Sequence, residues 1–197
     1  MKQEFFRFVQ RQLRSELNRT HRRKRRSPWL IGGLVIAITI ISYFLHEPKA
    51  PSSSITKGTV LKCSVKSVYD GDTLTANCPA GQVKVRLFGI DAPEMKQKPW
   101  GTRSRDVLRD LVATHDSITL QVKDQDRYGR TVAQVFAGEL DTGLEMVRKG
   151  KAIVYRQYNK SPAYQQAEDE AKQAKRGIWR KSGNQQDPAA WRRLNPR

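Results

Sequence analysis

Hydrophobic and polar positions alternate with different periods along the chain, and each period predicts a different element. From Trp29 to Leu45, WLIGGLVIAITIISYFL runs 17 residues without a charge. That reaches the lower length for a helix crossing a bilayer, and Trp29 and Tyr43 stand where interfacial aromatics belong. From residue 58 onward the period shortens. TVLKCSVKSVYD and DTLTANC are rich in β-branched residues and meet at DGD, a turn signal. In GQVKVRLFGI, Val83, Val85 and Leu87 share one face of a third strand, while Lys84 and Arg86 share the other. Residues 101–114, GTRSRDVLRDLVAT, place Val107, Leu108, Leu111 and Val112 on a helical stripe. SITLQVKDQD and RTVAQVFAG predict two more strands around a tight turn, and TGLEMVRKG a short helix with a glycine stop. SPAYQQAEDEAKQAKRGIW predicts a last helix, with Ser161 at its cap, Pro162 in its first turn and Gly177 at its end. From Lys181 the chain reads as a loosely ordered tail.

Five short strands, one helix after the third and two after the fifth suit a small closed barrel better than a βαβ sheet, which places the chain in the α+β class. No internal repeat is present. The domain reading is a basic segment at 1–28, an apolar span at 29–45, a Pro- and Ser-rich linker at 46–57, the folded domain at 58–180 and the tail at 181–197.

Charge adds partners to this outline. The chain of 197 residues carries a formal net charge of +18, which points to nucleic acid, anionic lipid or both. Residues 1–28 hold ten Lys or Arg against two Glu. With Phe6, Val9, Leu13 and Leu17 at helical spacing, this segment reads either as a basic helix on an anionic membrane surface or as a disordered basic tail. The apolar span reads as an uncleaved signal anchor rather than a cleavable signal peptide, because it is long and HEPKAPSSS offers only a weak cut site. The basic cluster then keeps the N-terminus cytoplasmic, so the domain is expected outside a bacterial inner membrane, in the periplasm; a mitochondrial membrane is the alternative.

Three segments carry candidate chemistry: YDGDT with Asp70 and Asp72; RLFGIDAPE with Arg86, Asp91 and Glu94; and DRYGR with Asp126, Tyr128 and Arg130. Carboxylates gathered at one end of a barrel repel one another, and a bound cation removes that cost. Hard oxygen ligands without histidine or thiol suit Ca²⁺ or Mg²⁺. Pro93 stiffens the chain between Asp91 and Glu94. Guanidinium groups of Arg86 and Arg130 match phosphate oxygens in a bidentate fork. The combination reads as hydrolysis of a phosphodiester, with Glu94 taking or orienting the proton of an attacking water. Each motif alone has an ordinary meaning as a turn, a solvated strand residue or a loop; their conjunction in order carries the reading.

These three motifs resemble the staphylococcal nuclease (thermonuclease) family over about residues 58–180. The resemblance implies a five-stranded OB-fold-type barrel with three helices. It implies Asp72 and Asp91 as side-chain ligands of Ca²⁺, with the Ala92 backbone carbonyl beside them, and Asp70 as a supporting acid. It implies Arg86, Glu94 and Arg130 as catalytic groups, Tyr128 as a contact to the terminal phosphate, and cleavage of DNA and RNA with little sequence specificity to leave 3′-phosphate ends. Two tyrosines flank a base pocket in the family; Tyr155 and Tyr158 stand nearest in this sequence, in a different register. Lys84, on the face of Arg86, is a further candidate for substrate contact, and Lys96, Lys98 and Trp100 either meet substrate or form a solvated loop with a packed Trp. A noncatalytic nucleic-acid-binding module on the same barrel is the alternative function. Oligomeric state has no signature in the sequence.

Cys63 and Cys78 lie about equally far from the DGD turn, so they can face each other across the first hairpin. In an oxidising compartment a disulfide is expected; elsewhere, two reduced buried thiols.

Overall fold

The computed structural model describes residues 55–196; the basic segment and the apolar span at 29–45 lie outside them. Among the described residues no helix is long and apolar enough to cross a membrane.

The short-period segments fold as strands. The five long ones are β1 (Val60–Val68), β2 (Thr73–Cys78), β3 (Gly81–Leu87), β5 (Ile118–Gln125) and β6 (Thr131–Ala137). Two-residue strands join them as β4 (Ile90–Asp91), β7 (Leu140–Asp141) and β8 (Ile153–Val154). The sheet runs β3-β2-β1-β5-β6-β7, and β3 also pairs with β6, which closes it into a barrel. The closing ladder is parallel and sets Val85 beside Thr131 and Arg86 beside Val132. Closure leaves the long strands no free edge. Alternation fills the interior: in β6, Thr131, Ala133, Val135 and Ala137 are buried while the residues between them are half-buried. Leu74, Leu87, Ile118 and Leu120 are fully buried, each contributing roughly 1.5–3 kcal/mol relative to exposure. The α+β, five-stranded barrel expected from the motifs is the fold observed.

Helix α1 (Trp100–Val112) lays Gly101, Ser104, Leu108 and Val112 against the barrel, close to the stripe the sequence predicts. Helix α2 (Thr142–Arg148) starts on a side-chain cap, Asp141 accepting from the Gly143 and Leu144 amides. Helix α3 (Pro162–Gln173) has Ser161 at its cap position, but no side-chain hydrogen bond is made there. It ends before Gly177, which instead opens a 3-10 turn at Gly177–Arg180.

The tail reading is corrected. A 3-10 turn at Asn184–Gln186 leads into a fourth helix, α4 (Pro188–Leu194). Asp187 caps it by accepting from the Ala190 amide, with Pro188 in the first turn. The 3-10 turn is tied down by hydrogen bonds from Gln185 Nε2 to the Ile178 and Lys181 carbonyls. Asp187-Pro188 is itself an N-terminal helix signal in the sequence, a cap residue followed by proline in the first turn.

Cys63 and Cys78 are joined by a disulfide, with Cα atoms 4.4 Å apart. The β1–β2 register pairs Ser64 with Asn77, so the two cysteines fall opposite each other one step further along.

Candidate active site

The turn between β1 and β2 delivers the first acid. Asp70 Oδ1 accepts from the Asp72 amide at 3.0 Å and fixes the turn. Burial, followed by the charge of Asp72, pushes the Asp70 carboxyl up to about 7. A side chain at Gly71 would run into Ser104 Oγ and come within 2.7 Å of Ala92 Cβ. Only glycine lets this turn approach α1 and the segment after β4 so closely.

Asp72 then reaches across to that segment. Its Oδ2 accepts from the Ala92 amide at 3.1 Å, and its Oδ1 accepts from Thr73 Oγ1 and from Arg86 Nη1 at 3.0 Å. Ala92 therefore holds Asp72 through its N–H. Arg86 sits on the face of β3 opposite the buried Val85 and Leu87, so it projects from the outside of the barrel. Its second nitrogen donates to Asp91 Oδ1 at 3.2 Å. One guanidinium thus bridges two buried carboxylates, whose side chains are only 5% and 3% exposed. Burial alone would lower the Arg86 pKa, but Asp72 and Asp91 hold it above its ordinary value.

Asp91 is held in place from behind. It pairs with Ile153 across the β4–β8 ladder, and the next residue of β8, Val154, donates its amide to the buried Glu168 of α3. Glu168 is neutralised by Arg156 and Lys172, each at 2.7 Å. Sequence reasoning missed Glu168; its signal was a charged residue on the stripe of Tyr164, Ala167 and Ala171. Gln97 was also missed. Its side chain accepts from the Glu94 amide at 2.7 Å and donates to the Asn184 carbonyl at 3.1 Å, joining the loop of Glu94 to the C-terminal segment.

The β5–β6 turn supplies the third motif. Asp126 accepts from the Tyr128 and Arg130 amides at 2.9 Å and from the Arg130 side chain. Gly129 permits this tight turn at φ +76°. Burial would raise the Asp126 pKa, but these Arg130 and Tyr128 donors hold it below the usual carboxylate value. The β3–β6 register places Arg130, one residue before Thr131, alongside the row of Lys84 and Arg86.

Arg86, Glu94, Tyr128, Arg130, Tyr155 and Arg192 line one cleft. Among the described residues its wall carries eight basic side chains against three acidic ones, an excess that suits a polyanion. Lys84 is exposed in this wall, its Nζ 5.7 Å from the Tyr69 ring. Tyr128 is 69% exposed, with Arg127 and Arg130 beside its ring. Tyr155 and Tyr158 stand edge to face, centroids 5.0 Å apart, and both reach the cleft. Lys96 lines it too, whereas Trp100 opens α1 with Arg103 near its ring.

The residue least expected here is Arg192 of α4. It donates twice to Asp91, at 3.0 and 2.8 Å, and once to Glu94 Oε1 at 3.0 Å. Asp91, followed by Glu94, holds its pKa well above the ordinary value.

Hard oxygens at Asp72, Asp91, Glu94 and the Ala92 carbonyl fit a divalent cation chemically. Among the described residues, no three acidic, histidine or cysteine side chains already converge as a metal-ligating group. The carboxylates close instead on two guanidinium groups, which supply the positive charge that the buried acids require.

Comparison with known proteins agrees with this geometry. Residues 84–181 match the family model described as staphylococcal nuclease homologue. A Haemophilus influenzae protein named an uncharacterized endonuclease is 41% identical over 165 residues, covering 83% of this chain and 84% of its own. An Escherichia coli O157:H7 protein of the same name is 42% identical over 116 residues, covering 58% of this chain and 74% of its own. The micrococcal nuclease of Shigella flexneri is 36% identical over 142 residues, 66% of this chain and 80% of its own.

Proposed function

This chain belongs to the staphylococcal nuclease homologue family, and from that premise we propose that it is a Ca²⁺-dependent nuclease that hydrolyses DNA and RNA with little sequence specificity and leaves 3′-phosphate ends. The observation that carries the reading is Arg86 bridging two buried carboxylates, Asp72 and Asp91, beside Glu94 and in one cleft with Arg130.

Asp72, Asp91 and the Ala92 carbonyl would hold the cation, which supplies positive charge for the phosphate oxygens. The remaining steps belong to side chains. Arg86 and Arg130 grip the scissile phosphate and stabilise the charge that builds on it during displacement. Glu94 holds the attacking water and takes its proton. The basic wall, with Lys84, binds the backbone without reading sequence, so affinity falls steeply with salt. Tyr128 contacts the terminal phosphate, and Tyr155 and Tyr158 offer faces for an unpaired base, which favours single-stranded or frayed substrate.

Residues 29–45 form an uncleaved anchor in this reading, with residues 1–28 cytoplasmic and the domain periplasmic. The Cys63–Cys78 bond supports an oxidising compartment.

The test is cleavage of single-stranded DNA and RNA by the full chain, titrated with Ca²⁺ and then with chelator. Glu94→Ala is expected to cut turnover by about 10²–10⁴-fold, the worth of a positioned acid–base group. Undiminished cleavage in that variant would remove Glu94 from the chemistry. Binding without cleavage in the parent chain at every metal concentration would leave the noncatalytic module instead.

A further inference from the structure

We propose that Arg192 is a tethered cation that competes with the divalent metal for Asp91 while holding Glu94 beside it, so that the C-terminal helix sets the metal concentration at which the site fills. The inference rests on the metal reading above and concerns a residue outside the three motifs.

Three observations carry it. The Arg192 guanidinium occupies both oxygens of Asp91 and one of Glu94. The Asp91 oxygens are those from which a hard cation would draw its charge, so ion and guanidinium cannot use them fully together. The helix carrying Arg192 lies on the surface. Of its seven residues only Pro188 is buried; Ala189, Ala190, Trp191 and Arg192 are half-buried, and Leu194 is 78% exposed. The apolar burial opposing its departure is that of Pro188 and the half-buried Ala189, Ala190 and Trp191. Finally, its base is pinned. Gln97 holds the Asn184 carbonyl, and Gln185 holds the Ile178 and Lys181 carbonyls. A released α4 therefore stays close to the cleft and can return when the metal leaves.

Arg86 also binds Asp91 but does not fill this role. It lies within a strand paired on both sides, so it cannot withdraw without breaking the barrel ladder. Arg192 sits on an element that can move as a unit.

Calcium titrated calorimetrically into the purified full-length chain, without nucleic acid, tests the proposal. If α4 holds the site about nine-tenths of the time, Arg192→Ala tightens the apparent dissociation constant about tenfold. Arg193→Ala, which removes an exposed charge from the same helix, leaves it unchanged. Equal constants in parent and Arg192→Ala would overturn the competition, as would weaker binding, which would make Arg192 a support of the metal or substrate site. No binding heat in either chain would overturn the metal reading and the competition with it. Amide hydrogen exchange adds a second readout: saturating Ca²⁺ should strip protection from residues 188–194 in the parent chain. Protection that survives saturation would overturn the proposal even if the constants differ.

Discussion

Arg86 and Arg192 hold the same carboxylate, Asp91, and differ in everything behind them. Arg86 belongs to β3, whose backbone is paired to β2 and β6 at that residue, and its side chain is 18% exposed. Arg192 belongs to a seven-residue helix at the end of the described chain, and its side chain is 36% exposed. Arg192 makes the larger number of hydrogen bonds to acids, three against two. Bond count nevertheless does not rank them. The worth of an ion pair depends on what its removal strands in a dry environment, and on whether the scaffold can relax. Without Arg86, both Asp72 and Asp91 lose a buried partner. Without Arg192, Asp91 keeps Arg86, and water can enter the half-open position.

The largest expected difference follows from that contrast. Arg86→Ala should lower nuclease turnover about 10²–10³-fold, the usual cost of losing a preorganised charge stabiliser. It should also cost the metal-free fold about 3–5 kcal/mol, as when one partner of a buried pair is removed. Urea denaturation in chelator, beside single-turnover cleavage at saturating Ca²⁺, measures both. Arg192→Ala should leave turnover at saturating metal unchanged. Equal losses in the two variants would erase the distinction.

Reduction of the Cys63–Cys78 bond comes next. The bridge spans 15 residues and closes the hairpin whose turn carries Asp72. In the loop-entropy account that closure is worth about 3 kcal/mol. Reductant should therefore lower the urea midpoint while leaving exchange protection of residues 188–194 at its starting level in native buffer. Loss of protection in α4 on reduction would mean that the two regions are not independent.

Smaller again is the stability effect of Arg192→Ala. Arg192 is 36% exposed and Asp91 keeps Arg86 when it leaves, so the change costs about 0–1 kcal/mol, and less as salt rises. A loss above about 2 kcal/mol would mean that α4 is part of the fold's foundation rather than an arm laid over it.

The same contrast explains what the sequence could disclose. Asp72, Arg86, Asp91 and Glu94 sit in short motifs at strand ends, and period-two alternation identified those strands. Their convergence follows from hairpins and from a barrel that has to close. The Asp91–Arg192 pair spans 101 positions and leaves no periodic trace, because seven residues with one buried side chain make no apolar stripe. Glu168 was hidden for the opposite reason. It interrupts a stripe that otherwise reads as plain core, and its purpose appears only when β8 is laid beside it. The place of Arg86 was legible, but which way the cleft opened was not. Alternation put Arg86 opposite Val85 and Leu87, yet inside and outside acquire meaning only once the sheet has closed.

The smallest effect concerns Arg130, the other arginine proposed to grip the phosphate. Arg130 depends on Asp126, which caps its turn through two amides and the guanidinium. Asp126 titrates below its ordinary value in the folded chain, burial working against the shift and the Arg130 and Tyr128 donors outweighing it. A depressed acid contributes stability that is fully present above its unfolded pKa near 4 and is lost as pH falls through the lower folded value. Asp126→Asn should therefore cost about 0.5 kcal/mol at pH 7, the scale of an i,i+4 ion pair at a half-buried turn. The cost should shrink toward zero as thermal melts are taken below pH 4. Asp126→Asn should also raise the substrate concentration at half-maximal rate more than it lowers turnover, since a looser turn mis-sets Arg130 without removing it. An unchanged melting profile from pH 7 to 3 in the variant would show that the turn is held by Gly129 and the β5–β6 ladder alone, and would place Arg130 beside Arg86 as a strand-fixed group.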